Sequence, residues 1–253
     1  MNVLSFSGGR TSAYMLSKYK DEIDLITFAN TGKEALGTLD FVRKCAEYFE
    51  KKIVWLEYTT TNKQKFKIVD YSTANRNGQP FKELIAKRKF IPNVSMRFCS
   101  MEMKALTIKR YLKSIDIDIK EVDMYLGIRY DEPRRYHKLK DNHRNGWYNK
   151  MPLYKDKVTE KEVLEFWDKQ PFDLDINKWE GNCDLCFLKG MTKKLELLRQ
   201  KPEVAKWWIE IEDLIGATFH KKYSVKELLT MSKSQLNLFA GFDNDIDCSC
   251  NID

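Results

Sequence analysis

The chain has 253 residues, 43% of them apolar, enough to bury a full core in one elaborated domain or in one domain with an appendage. A net charge of +7 favours anionic partners; no apolar run reaches membrane-spanning length and the opening residues lack a basic segment ahead of an apolar one, so a cytoplasmic protein with no membrane partner is expected. Six cysteines in that compartment are expected to be reduced thiols, metal ligands or redox groups rather than structural disulfides.

In chain order, a short apolar opening runs into Ser5-Phe6-Ser7-Gly8-Gly9-Arg10-Thr11-Ser12, and a helical pattern follows at Tyr14, Met15 and Leu16. This reads as a strand, a glycine turn and a helix start. Paired glycines let backbone N–H groups curl inward. The hydroxyls of Ser7, Thr11 and Ser12 and the positive end of the helix are then expected to face one point, suited to a phosphate. Arg10 either reaches that phosphate or points to solvent. The spacing is neither GxxxxGK[ST] nor GxGxxG, which excludes the two commonest nucleotide loops.

Apolar runs at Leu25 to Ala29, Ile53 to Leu56 and Val122 to Leu126 predict buried strands, with amphipathic stretches between the first three strands of the chain. The fold class expected is α/β, a doubly wound parallel sheet, with the candidate motifs beyond the carboxyl ends of its strands. Cys45 falls on the apolar face of one helix, with Val42, Ala46 and Phe49. From Thr59 to Ser95 the pattern loosens into an expected insertion or mobile loop, with a turn at 75–80 and a charged surface at Lys87-Arg88-Lys89. Capping boxes at Thr159-x-x-Glu162 and Ser224-x-x-Glu227 start two later helices. Val204, Trp207, Trp208, Ile211, Leu214 and Ile215 recur at three and four as a packing face. The expected division is a nucleotide-binding α/β domain over 1–155 and a helical region over 156–253 holding Cys183-Asp184-Leu185-Cys186 and the tail cysteines Cys248 and Cys250.

SGGxxS at Ser7 to Ser12 resembles the pyrophosphate-binding loop of the PP-loop ATP pyrophosphatases, with Thr11 where aspartate is common. Asn30-Thr31-Gly32-Lys33-Glu34 resembles the DTG…E segment of the PAPS-reductase branch of that family, with Asn30 for aspartate. Arg97-Phe98-Cys99-Ser100-x-x-x-Lys104 is similar to its R-x-C-[CST]-x-x-x-K segment. Gly127-Ile128-Arg129 with Glu132, Arg134 and Arg135 is similar to G-x-R-x-x-E-x-x-R, and Met151-Pro152-Leu153-Tyr154 to its P-L turn. The matches keep their order over roughly the first 170 residues, and the branch includes small forms carried by phages and mobile elements.

The resemblance implies an adenine nucleotide, ATP or PAPS, held by Ser7, Gly8, Gly9, Arg10, Thr11, Ser12, Asn30, Thr31, Gly32, Glu34, Arg97, Gly127, Arg134 and Arg135. Lys104 and Arg129 would act on it, with Mg²⁺ on the phosphates. Cys99, Cys183, Cys186 and Cys250 or Cys248 would then be ligands of a [4Fe-4S] cluster or of zinc, with unmetallated thiols as the other reading; Ser100 replaces one cysteine of the cluster-bearing reductases. The activity expected is adenylation of an acceptor by ATP, with release of pyrophosphate, followed by sulfur transfer. A sulfur donor or thiol reductant protein would be a partner.

Two other functions stay open. One is a phosphoadenosine or adenosine phosphosulfate reductase using Cys248 or Cys250, although the tail lacks the glycine and histidine of that branch. The other is a non-catalytic nucleotide- or nucleic-acid-binding module. Between Arg129 and Tyr148 basic and aromatic residues interleave. That stretch reads either as a nucleic-acid contact or as a solvated loop beside the pocket. The three histidines show no ligand spacing.

Overall fold

A computed structural model describes residues 1–141, 143–177 and 179–234. Six strands form one sheet in the order β4-β3-β2-β1-β5-β6: β1 (Asn2–Phe6), β2 (Leu25–Asn30), β3 (Ile53–Tyr58), β4 (Phe66–Val69), β5 (Asp123–Tyr125) and β6 (Tyr148–Lys150). All neighbours are parallel except β3 and β4.

The alternation of side chains along each strand divides the core in two. Leu4 and Phe6, Ile26 and Phe28, and Ile53 and Trp55 face α1 (Arg10–Tyr19) and α2 (Leu36–Tyr48). Val3, Ala29, Val54 and Leu56 take the other face with α4 (Leu106–Ser114). Helices thus cover both faces, a doubly wound α/β arrangement. Because β2 and β3 lie on one side of β1 and β5 and β6 on the other, strand order reverses between β1 and β5. A crevice opens beyond their carboxyl ends, where open α/β sheets take ligands.

The stretch 59–95 is more ordered than its weak pattern implies. It contains the antiparallel strand β4 and the helix α3 (Gln79–Arg88). β4 is a short edge strand with Ile68 60% exposed, so it carries little hydrophobic signal. α3 buries Phe81, Leu84 and Ile85, at three- and four-residue spacing, behind the turn ending at Gly78.

α5 (Pro133–Leu139) and the short α6 (Pro152–Lys155) flank β6. The capping box at Thr159 is complete and starts α7 (Glu160–Trp167). Val163, Trp167 and Leu174 belong to the first core, so the boundary expected at 155 falls within that core's packing. Beyond it, α8 (Met191–Gln200), α9 (Ala205–Ile215) and α10 (Val225–Ser234) enclose a third cluster with α3, Phe98 and Met103. Trp208 and Ile211 are buried there, whereas Leu214 is 58% exposed at the rim of the helix and not on its packing face. Cys45 is fully buried, and burial pushes its thiol well above the usual range. No helix among the described residues is long and apolar enough to cross a membrane.

Candidate functional site

The loop between β1 and α1 closes on itself. Gly8 has φ +76°, the left-handed region, and a Cβ there would come 2.6 Å from Thr38 Cγ2, so glycine is required twice over. The Ser7 N–H donates to Ser12 Oγ (3.2 Å), the two hydroxyls meet at 3.0 Å, and Ser12 Oγ donates to the Gly9 carbonyl (2.9 Å). Both serines therefore brace the loop rather than face outward together with Thr11. Gly9 occupies the helix N-cap with no side chain capping the first turn, which leaves the partial positive end of a ten-residue helix at the crevice.

Arg10 takes neither place expected of it. Its guanidinium makes a bidentate ion pair with Asp173 (2.7 Å for each bond) and donates to the Leu174 carbonyl (2.9 Å), fastening the segment after α7 to the first turn of α1.

The opposite wall follows β5. A Cβ on Gly127 would lie 3.3 Å from the Cα and N of Ser12, so the two loops touch and glycine permits the approach. Two residues on, Arg129 Nη1 donates to Thr11 Oγ1 (3.1 Å) and Nε to Asp131 (2.9 Å). Burial disfavours the Arg129 charge, but Glu132, Asp131 and Glu160 more than offset it and hold the cation. Glu132 accepts the Arg129 N–H (3.0 Å) and also pairs with Arg135. Arg135 Nε and Nη2 are buried without a partner among the described residues. Arg134, its neighbour on α5, is exposed.

The loop after β2 forms the third side. Asn30, fully buried, donates through Nδ2 to Glu57 (2.7 Å) and to the Asn75 carbonyl (2.9 Å), and its Oδ1 accepts the Gly32 N–H (3.0 Å). Glu34 accepts the Thr31 N–H (2.8 Å) and hydroxyl. Lys104 is close enough to act on Glu34 and sits in a π-helical segment, Ser100–Ala105, that follows Cys99; half-buried Arg97 lies just before it. The Thr107 hydroxyl takes up the Glu102 carbonyl in that irregular turn (2.9 Å).

Burial raises the Glu34 carboxyl above its ordinary value, with Lys104 and Thr31 opposing. A raised folded pKa means that the stability Glu34 contributes is complete at low pH and is lost as pH rises through that value. Glu34→Gln should therefore gain on the wild type as pH rises above the ordinary carboxylate range. Paired thermal melts check this, and a difference independent of pH would refute it. Glu212, raised by burial in the same sense, is common to both proteins and cancels.

The CxxC segment joins these loops. The Asn182 side chain donates to the Ser7 carbonyl (2.9 Å), Ala35 N–H to the Asn182 carbonyl (2.8 Å), and Cys183 forms a bridge with Glu34. Lys33, buried, pairs with Asp184 (2.7 Å), which also accepts Trp208 Nε1 (2.9 Å). Buried Lys189 donates to the carbonyls of Cys183 and Asp184, and Lys194 to that of Phe187. Cys99 and Cys183 pack against the same apolar cluster, and Cys186 is buried.

Among the described residues no three Cys, His, Asp or Glu side chains gather as a metal ion needs. Cys248 and Cys250 lie outside the described residues. Sequence reading missed Asp173, Asn182 and Asp184, because each acts across more than a hundred positions on a partner that no local pattern names.

A mostly parallel α/β protein results, whose glycine loop, Arg129 wall and CxxC segment converge at the strand-order reversal. No family model matches the chain. It is similar to the "Uncharacterized nin region protein ORF290" of Escherichia phage lambda, 29% identical over 214 residues that cover 78% of this chain and 69% of that protein.

Proposed function

We propose that the chain is an adenine-nucleotide-using enzyme of the PP-loop type, in the PAPS-reductase-like branch, which adenylates an acceptor for sulfur transfer. The observation that carries the reading is the contact of the Ser7–Ser12 loop with Gly127 and Arg129 at the strand-order reversal. There an uncapped helix N-terminus and a half-buried, charge-stabilised guanidinium border one crevice.

ATP would lay its phosphates over Gly9 and the first turn of α1. An acceptor oxygen attacks the α-phosphorus, a new P–O bond forms, and the bond to the β-phosphate breaks. Pyrophosphate leaves with its electron pair, and Arg129 balances the charge that builds on the phosphoryl oxygens. A sulfur nucleophile then displaces AMP. Mg²⁺ would travel with the phosphate chain and neutralise it. Asn182, on the Ser7 carbonyl, holds the CxxC segment beside the loop.

Purified protein incubated with ATP should release pyrophosphate, and Gly9→Asp should abolish both that release and ATP binding. The new carboxylate would cap α1 and repel phosphate. Its Cβ meets Asn182 Nδ2 at 3.3 Å, Ser7 Oγ at 3.5 Å and Asn182 Oδ1 at 3.7 Å, side-chain ends that can yield. A folded Gly9→Asp protein that still bound ATP as well as the wild type would sink the reading.

A further inference from the structure

The crevice accounts for Arg129 but not for the surface that runs from it. Residues 129–155 carry eight Lys and Arg against three Asp and Glu, most of the chain's excess of +7 in about a tenth of its length. This stretch forms α5 and the edge strand β6 rather than a plain loop. Three tyrosines lie together at one end. Tyr136 and Tyr154 stack with centroids 3.7 Å apart at 5°, and Tyr130 leans on Tyr154 at 5.3 Å.

The inner two rings pack against the second core, and that packing explains them. Tyr130 is different: it is 45% exposed, outside every core cluster, and adjacent in sequence to Arg129. Tyr148, 53% exposed, begins β6 opposite Asp123, at the far end of the sheet, with His143 against it at 5.1 Å. Exposed rings thus lie toward both ends of the β5–β6 pair, Tyr148 at its start and Tyr130 in the loop that follows β5. Arg134, Lys138 and Lys140 are exposed on and just after α5.

We infer that this face binds single-stranded nucleic acid and leads one nucleotide to the crevice. Cations follow a phosphate backbone, while exposed tyrosine faces stack on bases of any identity. An acidic protein would use the charge but would leave the two outward rings without a role, so charge and aromatic exposure together favour the nucleic acid. Tyr130 is the last stacking platform before Arg129, so a base resting on it places its neighbour at the Thr11–Arg129 contact. The inference names the acceptor class for the adenylation proposed above, and it rests on that reading only for what happens to the strand once bound.

The test is fluorescence anisotropy of the full chain with a labelled oligothymidine of about 15 nucleotides, without ATP, between about 50 and 200 mM salt. Wild type should bind, with affinity falling steeply as salt rises. Tyr130→Ala should weaken binding about 10-fold at fixed salt, and Lys140→Glu should lower affinity and flatten the salt slope. Lys140 is exposed and pairs at 3.7 Å with an exposed aspartate, so the fold should tolerate its reversal. No binding by wild type would overturn the inference, as would affinities unchanged in both variants. Displacement by polyglutamate as readily as by unlabelled oligothymidine would also overturn it, in favour of an acidic protein partner. Pyrophosphate release measured on the same samples separates the two readings: oligothymidine binding without ATP turnover defeats the adenylation reading alone.

Discussion

Arg129→Ala should lower kcat/KM for pyrophosphate release by about 100-fold or more, the usual cost of removing one charge-stabilising donor from a transition state. The Arg129 side chain is 13% exposed, and its guanidinium is fixed by Thr11, Asp131 and the more distant Glu132 and Glu160. Such anchoring is what preorganised stabilisation needs, because a donor already oriented does not reorganise as the reaction proceeds. The acidic neighbours make the cation more secure, so the rate should show no fall from Arg129 deprotonation in the alkaline range. Arg129→Lys keeps the charge but loses the fork that bridges Thr11 and Asp131, and should recover only part of the rate. Steady-state pyrophosphate assays, run below the melting temperature of each variant, check both. An Arg129→Ala rate within about twofold of wild type would remove Arg129 from the reaction.

The parallel strands were legible because each is a run of buried apolar residues whose alternate members serve opposite faces, as Val3 and Leu4 or Val54 and Trp55 do. β4 was hidden for the opposite reason, since its outward residues are Lys67 and Ile68 and its pairing is made by backbone. The glycine loop could be located from its residues, but not the use of its hydroxyls. Ser7 and Ser12 satisfy each other, and Arg10 is drawn to Asp173, 163 positions away.

Asn30 shows how a departure from a motif can be read only in three dimensions. The resembling segment has aspartate at that place, yet here the side-chain amide donates to Glu57 at 2.7 Å. A carboxylate there would put two buried acids in contact. Asparagine at 30 thus answers the acid at 57 and says nothing by itself about lost activity.

Glu57→Ala should be the most destabilising of these changes, by about 3 kcal/mol, read as a fall in the urea midpoint at unchanged slope and roughly 6–12 °C in melting temperature. The side chain is fully buried, accepts Asn30 Nδ2 and the Asn75 N–H (2.5 Å) with one oxygen, and meets Lys67 Nζ at 3.0 Å with the other. Truncation leaves the Asn75 N–H and one Asn30 proton in a space too dry to hydrate them freely, at about 1–3 kcal/mol for each unsatisfied donor. Lys67 is 47% exposed and can return to water, so Lys67→Ala alone should cost below about 1 kcal/mol. Glu57→Gln keeps a carbonyl for Asn75 and Asn30 and should fall between. The damage should also reach the crevice, since Glu57 fixes Asn30, Asn30 Oδ1 holds the Gly32 N–H, and Gly32 at φ +78° sets the loop that ends at Glu34. Glu57→Ala protein that remains folded should therefore bind ATP more weakly than Lys67→Ala does. Equal midpoints for those two variants would mean that the buried acid is not the link between the β3 end and the loop.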